Sequence, residues 1–444
     1  MSRPLPMPRR QFLATTGAIL GAPYFVPAHV LAKGNRPGAN DRLTVAHIGV
    51  GGMGGGHLQR MTEFRTEGRV NIAAVCDVHE GQLANAVQVA GPGVQPYRDY
   101  RYILQRNDID AVVIATPDHW HAVQTVQACE TGKHVYVEKP SSVTVQEGRA
   151  MVTAARTHGR KVQVGAQGRT GWGAYYTCRA IRNGMIGKVN KVTCWHYANP
   201  VGGDQPDAPP PPELDWDLWL GPMRGREYNA AYCPGTFRWF LESGGGQIRD
   251  RGAHQFSTIL WCMNADGPRS FTVEATGTPP VHGLWDCPVD MEAVFHFKDP
   301  DWTLVWGQPG DKQGQLEFGN VFWGEDGRKL ILEWEGAYKP AEPEAMNFQL
   351  PAGGVDPYRT NEYPDPADFN KNHMADWFKA IREPDYLPAV DIEIAHRTAT
   401  LCILANLSYQ LGRKLDWDAE HEQVIGDEQA NRLLGQPQRH PYHL

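Results

Sequence analysis

Arg42-Leu43-Thr44-Val45-Ala46-His47-Ile48-Gly49-Val50-Gly51-Gly52-Met53-Gly54-Gly55-Gly56 is the stretch on which the fold turns. Its first half is a nearly continuous run of apolar, strand-forming residues, the pattern of a strand buried on both faces of a parallel sheet. Its second half is glycine-rich and opens a helical stretch. A G-x-G-x-x-G frame falls on Gly49, Gly51 and Gly54. In that setting the first glycine makes a tight turn, the second lets the backbone approach a pyrophosphate, and the third allows close helix packing. Gly52 and Met53 lie between them at the helix start, where unpaired N–H groups and the helix dipole favour an anion.

A second apolar run, Val70 to Cys76, ends in Asp77, 23 residues beyond Gly54. A carboxylate there suits both ribose hydroxyls of an adenosine and repels a 2′-phosphate, so the expected cofactor is NAD rather than NADP. Strand and helix then alternate: a strand over Ile109–Thr116, a helix over Ala122–Glu130 and a strand over His134–Val137. A helix over 144–157 follows, opened by a Thr144/Glu147 capping box, and then a strand over Lys161–Ala166. Such alternation predicts a doubly wound parallel sheet with its ligand crevice at the carboxyl ends of the strands.

The chain has 444 residues, enough for two or three domains, and 43 Lys+Arg against 50 Asp+Glu give a net charge of −7. That balance argues against nucleic acid or an anionic membrane as partner. The eight cysteines are widely spread with no C-x-x-C pair, so a zinc ribbon or disulfide framework is not expected and most read as small core residues. At the N-terminus, Arg9-Arg10-Gln11-Phe12-Leu13 precedes an apolar run interrupted by Gly17, Gly21 and Pro23, and then Val30-Leu31-Ala32. This is similar to a twin-arginine export signal and too short to span a bilayer as a stable helix. The expected organisation is a signal at 1–32, a linker at 33–41, a nucleotide-binding domain at 42–166, a substrate-binding and oligomerisation domain at 167–420, and a tail at 421–444. The expected location of the mature protein is periplasmic, or cytoplasmic if the signal is not used.

Two strand ends carry chemistry: Thr116-Pro117-Asp118-His119-Trp120-His121 and Glu138-Lys139-Pro140. Together with the glycine frame and a later Asp250/His254 pair, they make the chain resemble the Gfo/Idh/MocA superfamily of glucose–fructose oxidoreductases, inositol dehydrogenases and rhizopine catabolism proteins, over roughly Leu43 to Leu415. The resemblance implies that Lys139 lies beside the nicotinamide and the substrate, and that Asp250 and His254 match the family's D-x-x-x-H pair. It implies a C-terminal α+β domain with a large open sheet, one face on the Rossmann domain and the other used for oligomerisation. It also implies that helices over 372–382 and 392–411 fold back onto the nucleotide domain.

The expected cofactor contacts are Gly49, Gly51, Gly52, Met53, Gly54, Asp77, Thr116, Pro117, Glu138, Lys139, Gln167 and Trp172. His119 and His121 are expected against the cofactor's ribose or nicotinamide side, with helix capping by Asp118 as the alternative. No metal is expected, because a spacing of two at a helix start does not bring two imidazoles together.

Beyond residue 166 strand patterns appear at 189–197, 289–298, 303–306 and 329–334 without regular helices between them, so the second sheet is expected to be antiparallel or mixed. Pro200 to Glu213, with six prolines, reads as a long ordered loop or lid anchored by Trp216, Trp219 and Leu220. The helix after Gly244-Gly245-Gly246 is expected to carry Asp250 and His254 on one face. Histidine is the natural base for a secondary alcohol. Lys139 would then stabilise the developing alkoxide while Asp250 holds a neighbouring hydroxyl or the imidazole. Arg249 and Arg251 are either surface charges or a means of admitting an acidic or heavily hydroxylated substrate.

Three functions follow. The first is an NAD-dependent oxidoreductase acting on a ring hydroxyl of a sugar, cyclitol or glycoside, with a tightly held cofactor. The second is an NAD-requiring glycosidase working through transient C3 oxidation and elimination, which needs a further base, for which Tyr175, Tyr197 and His196 are candidates. The third is a non-catalytic sugar- or nucleotide-binding protein.

Overall fold

The computed structural model describes residues 42–336, 342–357 and 368–444; the expected signal and linker at 1–41 lie outside them. The first part of the chain alternates strand and helix as β1 (Leu43–Ile48), α1 (Gly52–Thr66), β2 (Val70–Cys76), α2 (Glu80–Ala90) and β3 (Gln95–Tyr97), then β4 (Ala111–Ile114), α3 (Asp118–Glu130), β5 (His134–Glu138), α4 (Val145–Thr157) and β6 (Val162–Gly165). The six strands are all parallel, in the order β3-β2-β1-β4-β5-β6. The order reverses between β1 and β4, which opens the crevice there.

Register brings the chemistry to one edge. Ile48 pairs with both Cys76 and Ile114, and Ile114 with Val137. Gly49, Asp77, Thr116 and Lys139, which follow these residues, therefore leave the sheet side by side. The capping box forms as expected: Glu147 N–H donates to Thr144 Oγ1 at 3.2 Å while Glu147 Oε2 accepts from Thr144 N–H at 3.3 Å.

The second part contributes α5 (Trp172–Arg182), β7 (Val189–Trp195), α6 (Gly246–Asp250), α7 (Gly252–Cys262), β8 (Phe271–Gly277), β9 (Met291–Lys298) and β10 (Asp301–Gln308), followed by β11 (Gly319–Gly324), β12 (Lys329–Glu333), α8 (Phe369–Arg382), α9 (Ile392–Leu411), β13 (Leu415–Asp418) and β14 (Gln423–Val424). Eight strands pair in the order β12-β11-β7-β10-β9-β8-β13-β14, antiparallel except for β7 against β10. β14 lies in the segment expected as a tail, whose last residues pack Tyr442 edge-on against Trp120.

Phe256 and Ile259 of α7 and Leu404 of α9 close one face of this sheet against Phe295 and Trp306; each such burial stabilises by roughly 1.5–3 kcal/mol. Its β8 and β9 strands alternate buried and exposed residues, so the other face is open. The amphipathic α8 returns to the first sheet and buries Met374, Trp377 and Phe378 beside Phe64 of α1.

The proline-rich segment is an ordered strap. Glu80 N–H donates to the Glu213 carbonyl at 2.9 Å and Asp215 N–H to the Val78 carbonyl at 3.0 Å, which ties the strap to the turn after β2. Farther on, the Trp219 carbonyl accepts from Trp120 Nε1 at 3.0 Å, and Trp216 and Trp219 stack at 4.9 Å over their own apolar cluster.

Candidate active site

A cleft of about 1150 Å³ runs between the two sheets along the edge where β1, β2, β4 and β5 end. At one end lies the glycine turn. Gly49 has φ of +79°, and a Cβ there would sit 2.6 Å from the Ala115 carbonyl; a Cβ on Gly54 would meet the Gly49 carbonyl at 2.0 Å. Gly54 therefore packs the helix against the turn and does not line the cleft, whereas Gly51 and Gly52 face open space. The first turn of α1 holds no acidic side chain, and its positive end faces the cleft.

Asp77 lines the same end and accepts from Val50 N–H and His79 N–H, each at 2.9 Å. Burial pushes its carboxyl up, against these hydrogen bonds. Arg98 also lines this end, paired with Glu80 at 2.7 Å. A backbone cradle with room for a pyrophosphate, an anion-favouring helix end and an acid placed for ribose hydroxyls together fit a dinucleotide.

The other end is built on Glu138-Lys139-Pro140, whose Lys139–Pro140 peptide is cis. Lys139 Nζ meets Asp250 Oδ1 at 2.6 Å, Arg238 Nε reaches the same oxygen at 3.2 Å, and Arg251 Nε stands 3.5 Å from Oδ2. Burial would raise the Asp250 carboxyl, but the charges of Lys139, Arg238 and Arg251 outweigh it and hold the group far below the usual carboxylate range. Glu138 is turned away from Lys139 Nζ: its Oε1 pairs with His57 Nε2 at 2.6 Å and accepts from Gln167 Nε2 at 2.8 Å. Burial opposes ionisation here too, yet the His57 hydrogen bond and charge, with that of Lys139, bring Glu138 down to about 2.

Asp250 and His254 both line the cleft, one from α6 and the other from α7. The two helices meet at Arg251, which keeps right-handed helical backbone at φ −98° and ψ −35°. Facing His254 is the turn Trp334-Glu335-Gly336, whose φ values of 51°, 53° and 75° are all left-handed. For the two residues that are not glycine this costs on the order of 1–2 kcal/mol each. Glu335 Oε2 stands 3.0 Å from His254 Nδ1, side chains 7% and 9% exposed.

Of the expected contacts, Gly49, Gly51, Gly52, Met53, Asp77, Thr116, Pro117, Glu138, Lys139 and Gln167 line the cleft. Others do not, and those expectations are corrected. His119 turns its ring toward the Trp219 carbonyl, Nε2 at 3.0 Å, and burial brings it down to about 3. His121 stands with its ring nitrogens 2.7 Å from the Pro140 carbonyl and 2.9 Å from that of Thr116, a staple between two strand ends. Trp172 heads α5 with its ring against Tyr175 at 5.7 Å. Asp118 is no helix cap: it lines the cleft, its Oδ2 lacks a hydrogen-bond partner, and burial raises it against the pull of His121 and Arg238.

Of the three candidates for an extra base, only Tyr197 reaches the cleft. Tyr175 donates to Asp356 at 3.2 Å, and His196 is buried beside Trp306 and Phe318, which brings it down to about 4. Arg249 is fully buried and donates to the Ser142 carbonyl at 3.1 Å, whereas Arg251 lines the cleft. Arg238 and Glu335 were not singled out by the sequence, where neither sits in a recognisable motif.

The sequence model of an oxidoreductase family with NAD-binding Rossmann fold matches residues 43–166, and the model of that family's C-terminal alpha/beta domain matches 179–285 and 354–444. The chain belongs to the Gfo/Idh/MocA family. Among curated Gfo/Idh/MocA relatives it is 30% identical over 204 residues to a glycosyl hydrolase family 109 protein of Shewanella baltica, a match covering 41% of this chain and 44% of that protein. It is 24% identical over 307 residues to the rhizopine catabolism protein MocA of Rhizobium meliloti, covering 66% and 82% respectively. Its fold is similar to that of the WlbA dehydrogenase of Bordetella pertussis, solved with NADH and UDP-GlcNAcA: TM-score 0.61, 18% identity, 84% of this chain and 98% of that one. The family's NAD-binding Rossmann model spans the residues that form the glycine turn and Asp77.

Proposed function

We propose that this chain is an NAD-dependent oxidoreductase acting on a secondary hydroxyl of a sugar, cyclitol or glycoside ring, with Lys139, His254 and Asp250 at the reacting carbon. The observation that carries the reading is the convergence of a cationic Lys139 and a cleft-lining His254 in the same cleft as the dinucleotide cradle. When bound, NAD accepts or returns the hydride. Lys139 donates to the reacting oxygen and stabilises negative charge developing there, inside a site with little solvent access. His254 takes the hydroxyl proton. Asp250, locked as an anion by its three cations, holds Lys139 in place.

The strap, tied to the turn after β2 at Glu80 and Asp215, lines the cleft with Pro211 and Leu214, which supports a retained cofactor. Retention in turn fits an exported enzyme, for which Arg9-Arg10 is the address, and redox cycling within one site. The open face of the eight-stranded sheet supports a homo-oligomer. Purifying the mature protein without added nucleotide, denaturing it and identifying what is released tests the reading: stoichiometric NAD or NADH is expected, and an empty protein that does not bind NADH refutes it.

The similarity to a glycosyl hydrolase family 109 protein, together with Tyr197 in the cleft, favours a second reading as a redox-neutral glycosidase. The products separate the two: a keto sugar for the oxidoreductase, an intact hexose and free aglycone for the glycosidase.

A further inference from the structure

Three features converge on one side chain that no motif announces. Trp334 and Glu335 both hold left-handed backbone although neither is glycine, and such strain persists only where the surroundings enforce it. The enforcing contacts are visible. A Cβ on Gly336 would lie 2.2 Å from the Ala174 backbone nitrogen, so the turn is pressed against the start of α5. A Cβ on Gly168 would lie 2.7 Å from Glu335 Cγ, so that glycine leaves the space the Glu335 side chain fills. The result is a buried carboxylate oxygen, Oε2, and a buried imidazole nitrogen, His254 Nδ1, 3.0 Å apart. At 3.0 Å they stand as an ion pair that is not yet aligned as a hydrogen bond, and neither has another hydrogen-bond partner. Pairs of this kind commonly tighten only when substrate completes the site.

From this geometry we infer that Glu335 is the positioning residue for His254. It accepts the Nδ1–H of the neutral ring, fixes the ring's orientation, and so presents Nε2 as an unprotonated lone pair to the reacting hydroxyl. Which ring nitrogen carries the proton is set by the hydrogen bond the other can make, and a charged acceptor at Nδ1 leaves Nε2 free to take a proton. When His254 accepts that proton, Glu335 faces a cation across the same 3.0 Å, while Lys139 keeps its own carboxylate, Asp250. The cleft thus holds two separate cation–carboxylate pairs, one for each proton-bearing group. The inference rests on His254 acting as the base proposed above, but its test does not use turnover.

Nitrogen-15 imidazole spectra of the purified protein with its nucleotide, at alkaline pH, report directly which ring nitrogen is protonated. A His254→Asn spectrum assigns the signal. The wild-type ring is expected to carry its proton on Nδ1. In Glu335→Ala the ratio of Nδ1–H to Nε2–H forms should fall by about tenfold or more, the scale set by loss of one charge-assisted hydrogen bond. Glu335→Gln, which fills the same space over Gly168, should move the ratio the same way. NADH binding, followed by tryptophan fluorescence, is expected to be unchanged in both variants.

A wild-type ring protonated on Nε2 would overturn the inference, as would a ratio that ignores both substitutions. If the ratio moves but His254→Asn turns over normally, the Glu335–His254 pairing stands and the assignment of His254 as base falls.

Discussion

Replacing Asp250 by Asn removes one charge and almost no volume from a carboxylate that touches Lys139 at 2.6 Å, Arg238 at 3.2 Å and Arg251 at 3.5 Å. At an effective dielectric near 20, each such contact is worth roughly 5 kcal/mol of gross Coulomb attraction. Most of that is offset by the solvation the charges give up, and breaking a buried pair by removing one partner costs about 3–5 kcal/mol net. We expect Asp250→Asn to lose that much stability in urea unfolding at neutral pH. The pH dependence carries the sharper signature. Because the folded-state carboxyl is held far below its ordinary value, its contribution is complete above the unfolded value near 3.8 and is lost only as pH falls below it. The wild-type-minus-variant difference should therefore stay flat between about pH 5 and pH 8 and shrink in stronger acid. A difference under about 1 kcal/mol, the scale of an exposed pair, would refute the view that Asp250 is the shared counterion of the three cations.

Asp77→Asn should weaken NAD by roughly tenfold to a hundredfold through the loss of charge-assisted hydrogen bonds to ribose. It should also narrow the preference over NADP, since Arg98 at the same end is then unopposed by Asp77; unchanged selectivity in fluorescence titrations would place Asp77 away from the adenosine. Four fully buried imidazoles, His47 and His119 at about 3 and His196 and His373 at about 4, are kept neutral mainly by burial. Their folded-state values lie below the unfolded value of 6.5, so as pH drops the unfolded chain takes up protons that the folded chain refuses. Stability should then fall between about pH 6 and pH 4 at up to roughly 5 kcal/mol per pH unit. A chain that keeps its native fluorescence unchanged to pH about 4 would contradict this burial.

Local pattern reached far into this fold. The apolar run ending at Ile48, the glycine frame and the spacing to Asp77 define the parallel sheet and its nucleotide edge, because in such folds position along the chain and position at the sheet edge are tied by register. The same logic put Lys139 at the cleft. It failed where side-chain direction decides. His119 and His121 stand at a helix start beside the cleft, yet their rings turn into the Trp219 and Pro140 carbonyls, contacts made 100 and 19 residues away. Asp250 and His254, spaced for one helical face, do both line the cleft, although α6 ends and α7 begins around Arg251. Arg238 comes from a single 3-10 turn, Thr236–Trp239, and Glu335 from a strained turn, both too short for a periodicity to be read. Only Gly168 and Gly336 hint at the latter, and a glycine in sequence does not say which side chain it makes room for.

The central claim is that Lys139, in the cleft that holds NAD, serves hydride transfer from a ring alcohol. Purified protein charged with NAD, mixed in turn with methyl glycosides, free hexoses and inositols while the near-ultraviolet absorbance of NADH is followed, tests it with wild-type and Lys139→Met side by side. We predict NADH formation with at least one of these alcohols in the wild type, and a rate per bound nucleotide lower by on the order of a hundredfold to a thousandfold in the variant. Equal rates in the two proteins, or a wild type that reduces its NAD with no ring alcohol, would contradict the account.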